Sequence, residues 1–208
     1  MNPLIWNQIP LEDYEKHMQH KTVGQMQLLS ELTKKYLERF QPASAMFLGI
    51  SGGNGLEHID NEITKNVWGV DINSKYLEAT QARFQNKISH LYLENLDISL
   101  NQKTLEKVNF LWAALIFEYV PLENGFEFIR NNLQTNGNLI ITIQSNNGIT
   151  SISQTGVESI KAVGQIFQIV ESSLLLEFAE KAGFSLMDSE ENFLPNQKSL
   201  KTYLFNFK

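Results

Sequence analysis

The chain has 208 residues, 42% of them hydrophobic, which suits one domain with a real core. Seventeen Lys and Arg against 23 Asp and Glu give a net charge of −6, which argues against nucleic-acid phosphate and anionic membranes as main partners. There is no cysteine, so a disulfide scaffold, thiolate-bound zinc, iron–sulfur clusters and a thiol nucleophile are all excluded. The longest apolar run, 110–117, falls well short of the ~20 residues of a membrane helix. Residues 1–6 lack the basic start and apolar stretch of a signal peptide, so a soluble, cytoplasmic α/β domain is expected.

Leu11, Tyr14 and Met18, then Leu29, Leu32, Tyr36 and Phe40, recur at the spacing of a buried helix face. Gly24 weakens the join, so two helices or one kinked helix are expected before Pro42. Strand and helix then alternate. Apolar runs at 45–50, 66–70, 91–96, 108–117 and 138–144 read as strands, the last entered by a turn at Asn136 and Gly137. Near-continuous apolar strands imply a parallel sheet covered on both faces. Asn73 and Ser74 suit the cap of a helix through Leu77 and Phe84, and Pro121 suits the start of another. A helix near 170–182 should end at Gly183. Two last runs, 185–194 and 201–207, are joined so tightly through Pro195 and Asn196 that they must be antiparallel. The expectation is a mixed seven-stranded sheet with a C-terminal antiparallel hairpin and helices on both faces.

The chemistry concentrates in a loop of Gly49, Ile50, Ser51, Gly52, Gly53, Asn54 and Gly55, between the first strand and a segment read as helical that carries His58. Glycines let the backbone approach a ligand, and a helix N-terminus would offer free N–H groups. Asp71 ends the next strand, 22 residues after Gly49, where an acid can take both ribose hydroxyls of a nucleoside. Asp97 ends the third strand and, with Leu96 and Ile98, suits an adenine; it equally suits a turn before Ser99, and the two readings stand level. No His and carboxylate set shows metal spacing. Gly49, Ser51 and Gly53 formally fit a hydrolase elbow, but no His partner follows a later strand. A nicotinamide-dependent dehydrogenase shares the loop and the distal acid, but Asp97 and the terminal hairpin argue against it.

From Ala43 onward the pattern resembles the class I S-adenosylmethionine-dependent methyltransferases, whose Rossmann-like α/β fold carries the same terminal hairpin. The resemblance implies S-adenosylmethionine as cofactor. It places Gly49, Ile50, Ser51, Gly53 and Asn54 around the methionine part, Asp71 with Ile72 at the ribose, Asp97 with Ile98 at the adenine, and Ala114 beneath the reactive methyl. In many small-molecule members an N-terminal helix folds over the cofactor, which brings in Tyr14 and Met18. Glu118, Tyr119 and His17 are then the catalytic candidates at the acceptor. The chain divides into a helical cap, 1–42, and a catalytic domain, 43–208, with an insertion at 145–168 suited to a substrate lid. Its apolar side would be Ile149, Ile152, Ile160, Val163 and Phe167. The acceptor is expected to be a small molecule: the Asn/Asp-Pro-Pro-aromatic motif of nucleic-acid amino-methylating members is absent. The oligomeric state stays open.

Two positions depart from the family. Phe47 stands where an acid usually helps place the cofactor's ammonium group, and Ser51 stands where glycine is usual. Ser51 fits the loop if its φ is negative. The alternative to an enzyme is a methyltransferase-like module that binds cofactor weakly or not at all.

Overall fold

The five expected apolar runs and the two C-terminal runs all become strands. In the computed structural model, which describes residues 3–100, 103–149 and 152–208, these are β1 (Ser44–Leu48), β2 (Asn66–Asp71), β3 (His90–Asn95), β4 (Val108–Ala114), β5 (Leu133–Ser145), β6 (Phe184–Phe193) and β7 (Ser199–Phe207). Met1 and Asn2 of the expected cap, and Thr150 and Ser151 of the expected lid, lie outside the described residues. The strands form one sheet in the order β3-β2-β1-β4-β5-β7-β6. The first five run parallel, and β7 lies antiparallel between β5 and β6.

Alternating residues of one strand feed two separate cores. Met46 and Leu48 of β1 join Leu111, Ala113 and Leu139 on one face, covered by α4 (Leu122–Asn132) and α5 (Ser172–Lys181) through Phe126, Ile129, Leu175 and Ala179. Ala45 and Phe47 join Phe110 and Trp112 on the other, covered by α2 (Gln25–Phe40) and α3 (Ser74–Phe84) through Leu29, Tyr36, Leu77 and Phe84. So α2 belongs to the layer over the sheet. The N-terminal 3₁₀ segment Pro3–Gln8 and α1 (Leu11–Met18) sit elsewhere: a third cluster packs Ile5, Trp6, Ile9 and Tyr14 against Val157, Ile160 and Val163 of the 145–168 insertion. Gly24, at φ 65°, separates α1 from α2, Asn73 caps α3 by accepting from Lys75 N at 3.0 Å, and Gly183 ends α5 at φ 92°.

Three expectations need correction. No α-helix follows the glycine loop; between β1 and β2 there is a single 3₁₀ turn, Leu56–His58. Ser51, Gly53 and Gly55 all have positive φ (52°, 86° and 94°), which an α-helix cannot accommodate. The space is taken instead by α2, whose Thr33 side chain lies where a Cβ on Gly55 would point, 2.8 Å away. Second, β4 ends at Ala114 rather than at residue 117, because Leu115 turns the chain out at φ 53°. Third, Asn136 and Gly137 lie inside β5: its pairing with β4 jumps from Leu133 opposite Val108 to Asn138 opposite Phe110, so the pair forms a bulge rather than an entering turn.

Candidate active site

The parallel strands end at Leu48, Asp71, Asn95, Ala114 and Ser145 along one edge of the sheet, where open α/β sheets bind their ligands. A cleft of about 1320 Å³, counted to its open mouth, runs along that edge. Its lining includes Tyr14, His17, Met18, Gly49, Ser51, Asp71, Ile72, Asp97, Ile98, Ala114, Glu118 and Tyr119, twelve of the fifteen cofactor and catalytic candidates, and Ile152, Ile160, Val163 and Phe167 of the expected lid. Ile50 and Asn54 line only a smaller adjoining cavity, and the Asn54 side chain donates to the Met26 carbonyl at 3.1 Å. Gly53 lines neither. Its glycine answers to packing, since a Cβ there would sit 2.6 Å from the Phe84 ring.

Asp71 organises the glycine loop from the end of β2. One carboxylate oxygen accepts from Ser51 N at 2.8 Å and the other from Asn73 N at 2.9 Å. Burial pushes its carboxyl up to about 6, against the opposing pull of these amides. Ser51 is held on its other side by the Thr80 hydroxyl, which donates to its carbonyl at 2.7 Å. Together these bonds hold the serine at φ 52°, the reverse of the sign expected for a non-glycine residue here.

Asp97 closes the turn before Ser99 with one oxygen and leaves the other unengaged. Its Oδ1 accepts from Ser99 N at 2.9 Å and from the Ser99 hydroxyl at 2.6 Å, closing a turn. Its Oδ2 is buried and has no hydrogen-bond partner among the described residues.

Glu118 is fully buried just past β4. Its Oε1 accepts from Gln144 N at 2.7 Å, while Oε2 is a second buried carboxylate oxygen without a partner among the described residues. Burial lifts its carboxyl to about 7, into the range useful for proton transfer near neutrality. Gln144 extends the network, accepting from Gln25 Nε2 at 2.5 Å. His17 is buried, and its Nδ1 lies 2.8 Å from the Thr155 hydroxyl. Burial, then the nearby Lys198 and His20, lower its imidazole to about 4, so it is neutral at pH 7. Burial also raises the hydroxyls of Tyr14, Tyr76 and Tyr119, keeping them protonated.

The roof is aromatic and tied down. Trp6 meets Tyr119 edge-on at 5.0 Å and Tyr14 at 5.9 Å, and Phe167 meets Tyr119 at 5.9 Å. The Tyr76 hydroxyl donates to Ile9 O at 3.0 Å and Asn73 Nδ2 to Trp6 O at 2.9 Å, fixing the N-terminal segment over the cleft. Asp13 accepts from the Ser159 hydroxyl at 2.6 Å, joining α1 to the insertion. Sequence reading missed Trp6, Gln25, Tyr76, Gln144 and Lys198 as lining residues. They are scattered along the chain with no motif among them, and only the fold brings them together. Among the described residues, no group of His, Asp or Glu is arranged to hold a metal ion, and no helix is long and apolar enough to cross a membrane.

No family model and no curated protein sequence matches the chain. Solved structures do. The magnesium protoporphyrin IX methyltransferase ChlM from Synechocystis PCC 6803, with bound S-adenosylhomocysteine, superposes with a TM-score of 0.71 at 12% identity, over 98% of this chain and 96% of that one. The N-methyltransferase NodS from Bradyrhizobium japonicum WM9, also with S-adenosylhomocysteine, gives 0.67 at 10% identity over 88% and 87%. The [4+2]-cyclase SpnF gives 0.67 at 11% identity over 86% and 81%. The chain therefore has the Rossmann-like class I S-adenosylmethionine-dependent methyltransferase fold. A cyclase with the same fold shows that the fold alone does not name the reaction.

Proposed function

We propose that the cleft binds S-adenosylmethionine and that the protein methylates a small molecule. The observation that carries the reading is the ordered pair of acids at the ends of β2 and β3. Asp71 stands beside the glycine loop, and Asp97 keeps a buried oxygen, Oδ2, unpartnered on the cleft wall. A ribose diol suits the first, and an exocyclic amine the second, because an unmet buried acceptor costs about 1–3 kcal/mol until a donor arrives. The S-adenosylhomocysteine bound in ChlM and NodS supports the same choice.

Tyr14, Met18, Gly49, Ser51, Ile72, Ile98 and Ala114 would hold the cofactor, which supplies a methyl group on a good leaving group. The chain's own task is to align the acceptor and exclude water, through the aromatic roof and the 145–168 lid. Glu118 Oε2 takes the proton that an O–H or N–H acceptor gives up. Neutral His17 and protonated Tyr119 border the acceptor without competing for that proton. In this reading 1–42 contributes the roof and one sheet-covering helix, and 43–208 is the catalytic domain.

One observation favours a second reading, a methyltransferase-like module without catalysis. Phe47, where an acid is usual, is only 2% exposed and is packed among Leu29, Tyr36 and Trp112. Calorimetric titration with S-adenosylhomocysteine separates the two. Saturable binding that Asp71→Ala abolishes supports the cofactor site; no heat at millimolar ligand rejects it in favour of the module.

A further inference from the structure

Four aromatic rings on the cleft lining meet one another almost at right angles. Trp6 stands at 79° to Tyr14 and at 88° to Tyr119, and Phe167 stands at 76° to Tyr119. They come from distant parts of the chain: the N-terminal 3₁₀ segment brings Trp6, α1 brings Tyr14, the exit of β4 brings Tyr119 and the insertion brings Phe167. The bonds from Asn73 to Trp6 O and from Tyr76 to Ile9 O fix the Trp6 end of this corner. Rings grouped around one space are how proteins take alkylated ammonium ions, because the negative π faces attract a cation that has few hydrogen bonds to offer.

Glu118 adjoins the corner. It precedes Tyr119 in the chain, and its charge bears on the Tyr119 hydroxyl. Its Oε1 is taken by the Gln144 amide, while Oε2 is buried without a partner among the described residues. Besides burial, the groups acting on its carboxyl are backbone amides, with no cation among the described residues. Lys198, buried in the β6–β7 turn on the same lining, is engaged within the fold and bears on His17 instead. A buried carboxylate without a counter-charge favours a ligand that brings one. Asp71 and Asp97 on the same lining disfavour an anionic acceptor.

We propose that the methyl acceptor is a small organic amine that enters as its ammonium ion and sits between the aromatic corner and Glu118 Oε2. The proposal rests on the methyl-transfer reading given above. An ammonium N–H gives its proton to Oε2, leaving a carboxylic acid and an amine lone pair. The lone pair forms the N–C bond to the methyl group as the C–S bond breaks, and the electron pair of that bond stays on sulfur. The product nitrogen is again a cation, suited to the same rings, and Glu118 returns its proton to water as the product leaves. An alcohol could donate to Oε2 equally well, but it carries no charge for the aromatic corner to attract.

The test compares amines with alcohols of the same shape: phenethylamine with 2-phenylethanol, and isobutylamine with isobutanol. Binding is measured by calorimetry at about pH 7, where both amines are cations, with S-adenosylhomocysteine present. The proteins are the wild type, Glu118→Gln and Trp6→Leu. In at least one pair the amine should bind the wild type about tenfold or more tighter than the alcohol, since a charge-assisted bond and the rings act together. Glu118→Gln should erase most of the preference, and Trp6→Leu should weaken the amine more than the alcohol. Equal binding in both pairs, no binding of either amine at millimolar concentration, or a preference that survives Glu118→Gln overturns the proposal. The wild-type comparison decides even if a variant fails to fold. S-adenosylhomocysteine titrated alone separates the two claims. Its binding without an amine preference removes only the ammonium site, and an amine preference without its binding removes only the cofactor reading.

Discussion

Replacing Glu118 by Gln should change how stability depends on pH. Gln keeps an oxygen for the Gln144 amide and removes the ionisable group. Burial places the Glu118 carboxyl at about 7 against an ordinary 4.5. At about 1.36 kcal/mol per pH unit, that gap corresponds to about 3 kcal/mol. Between about pH 4.5 and 7 the native protein holds a proton that the unfolded chain has released, so this group makes stability fall as pH rises. Asp71, raised to about 6, acts in the same direction over a lower window. His17, lowered from 6.5 to about 4, acts oppositely: the unfolded chain holds the extra proton, and stability rises with pH through that range. Urea unfolding of Glu118→Gln and wild type at about pH 4.5 and pH 8 isolates the first contribution. The variant should gain on the wild type by about 3 kcal/mol between the two conditions. A difference between the proteins that stays constant with pH would refute the buried, proton-holding Glu118.

Other perturbations test the loop. Asp71→Ala strands two buried amides, those of Ser51 and Asn73, and should cost roughly 2–4 kcal/mol in urea unfolding; a loss below about 1 kcal/mol would contradict its organising role. Ser51→Gly relieves a left-handed serine worth about 1–2 kcal/mol, against about 0.5–1 kcal/mol of added chain entropy. The net gain should be about 0.5 kcal/mol with S-adenosylhomocysteine affinity kept, and a loss of more than about 1 kcal/mol would show that the hydroxyl itself is needed.

Much of the fold was legible because both of its signals are local. Apolar runs stopped at Asp71 and Asp97, and a short Pro195–Asn196 link forced the last two strands to be antiparallel. The helix after the glycine loop was misread for a physical reason. Glycine-rich sequence marks both a phosphate-type loop and a series of left-handed turns, and only the docking of α2 against Gly55 selects the second. The sign of φ at Ser51 depends on bonds to Asp71 and Thr80, 20 and 29 residues away, which no local pattern reports. The acceptor end was harder still. Glu118 was visible as a polar residue leaving a buried strand, but its proton affinity comes from complete burial in the folded chain. Gln25 and Gln144 meet across 119 residues, and Lys198 reads in sequence as an ordinary surface turn lysine.

Co-crystallisation with S-adenosylhomocysteine decides whether the cleft is a cofactor site. The ribose hydroxyls should lie on Asp71, the adenine amine within hydrogen-bond distance of Asp97 Oδ2, and open space should remain between the ligand's sulfur and Glu118 for an acceptor. A ligand bound away from Asp71 and Asp97, or a cleft left unoccupied at millimolar ligand, would contradict it.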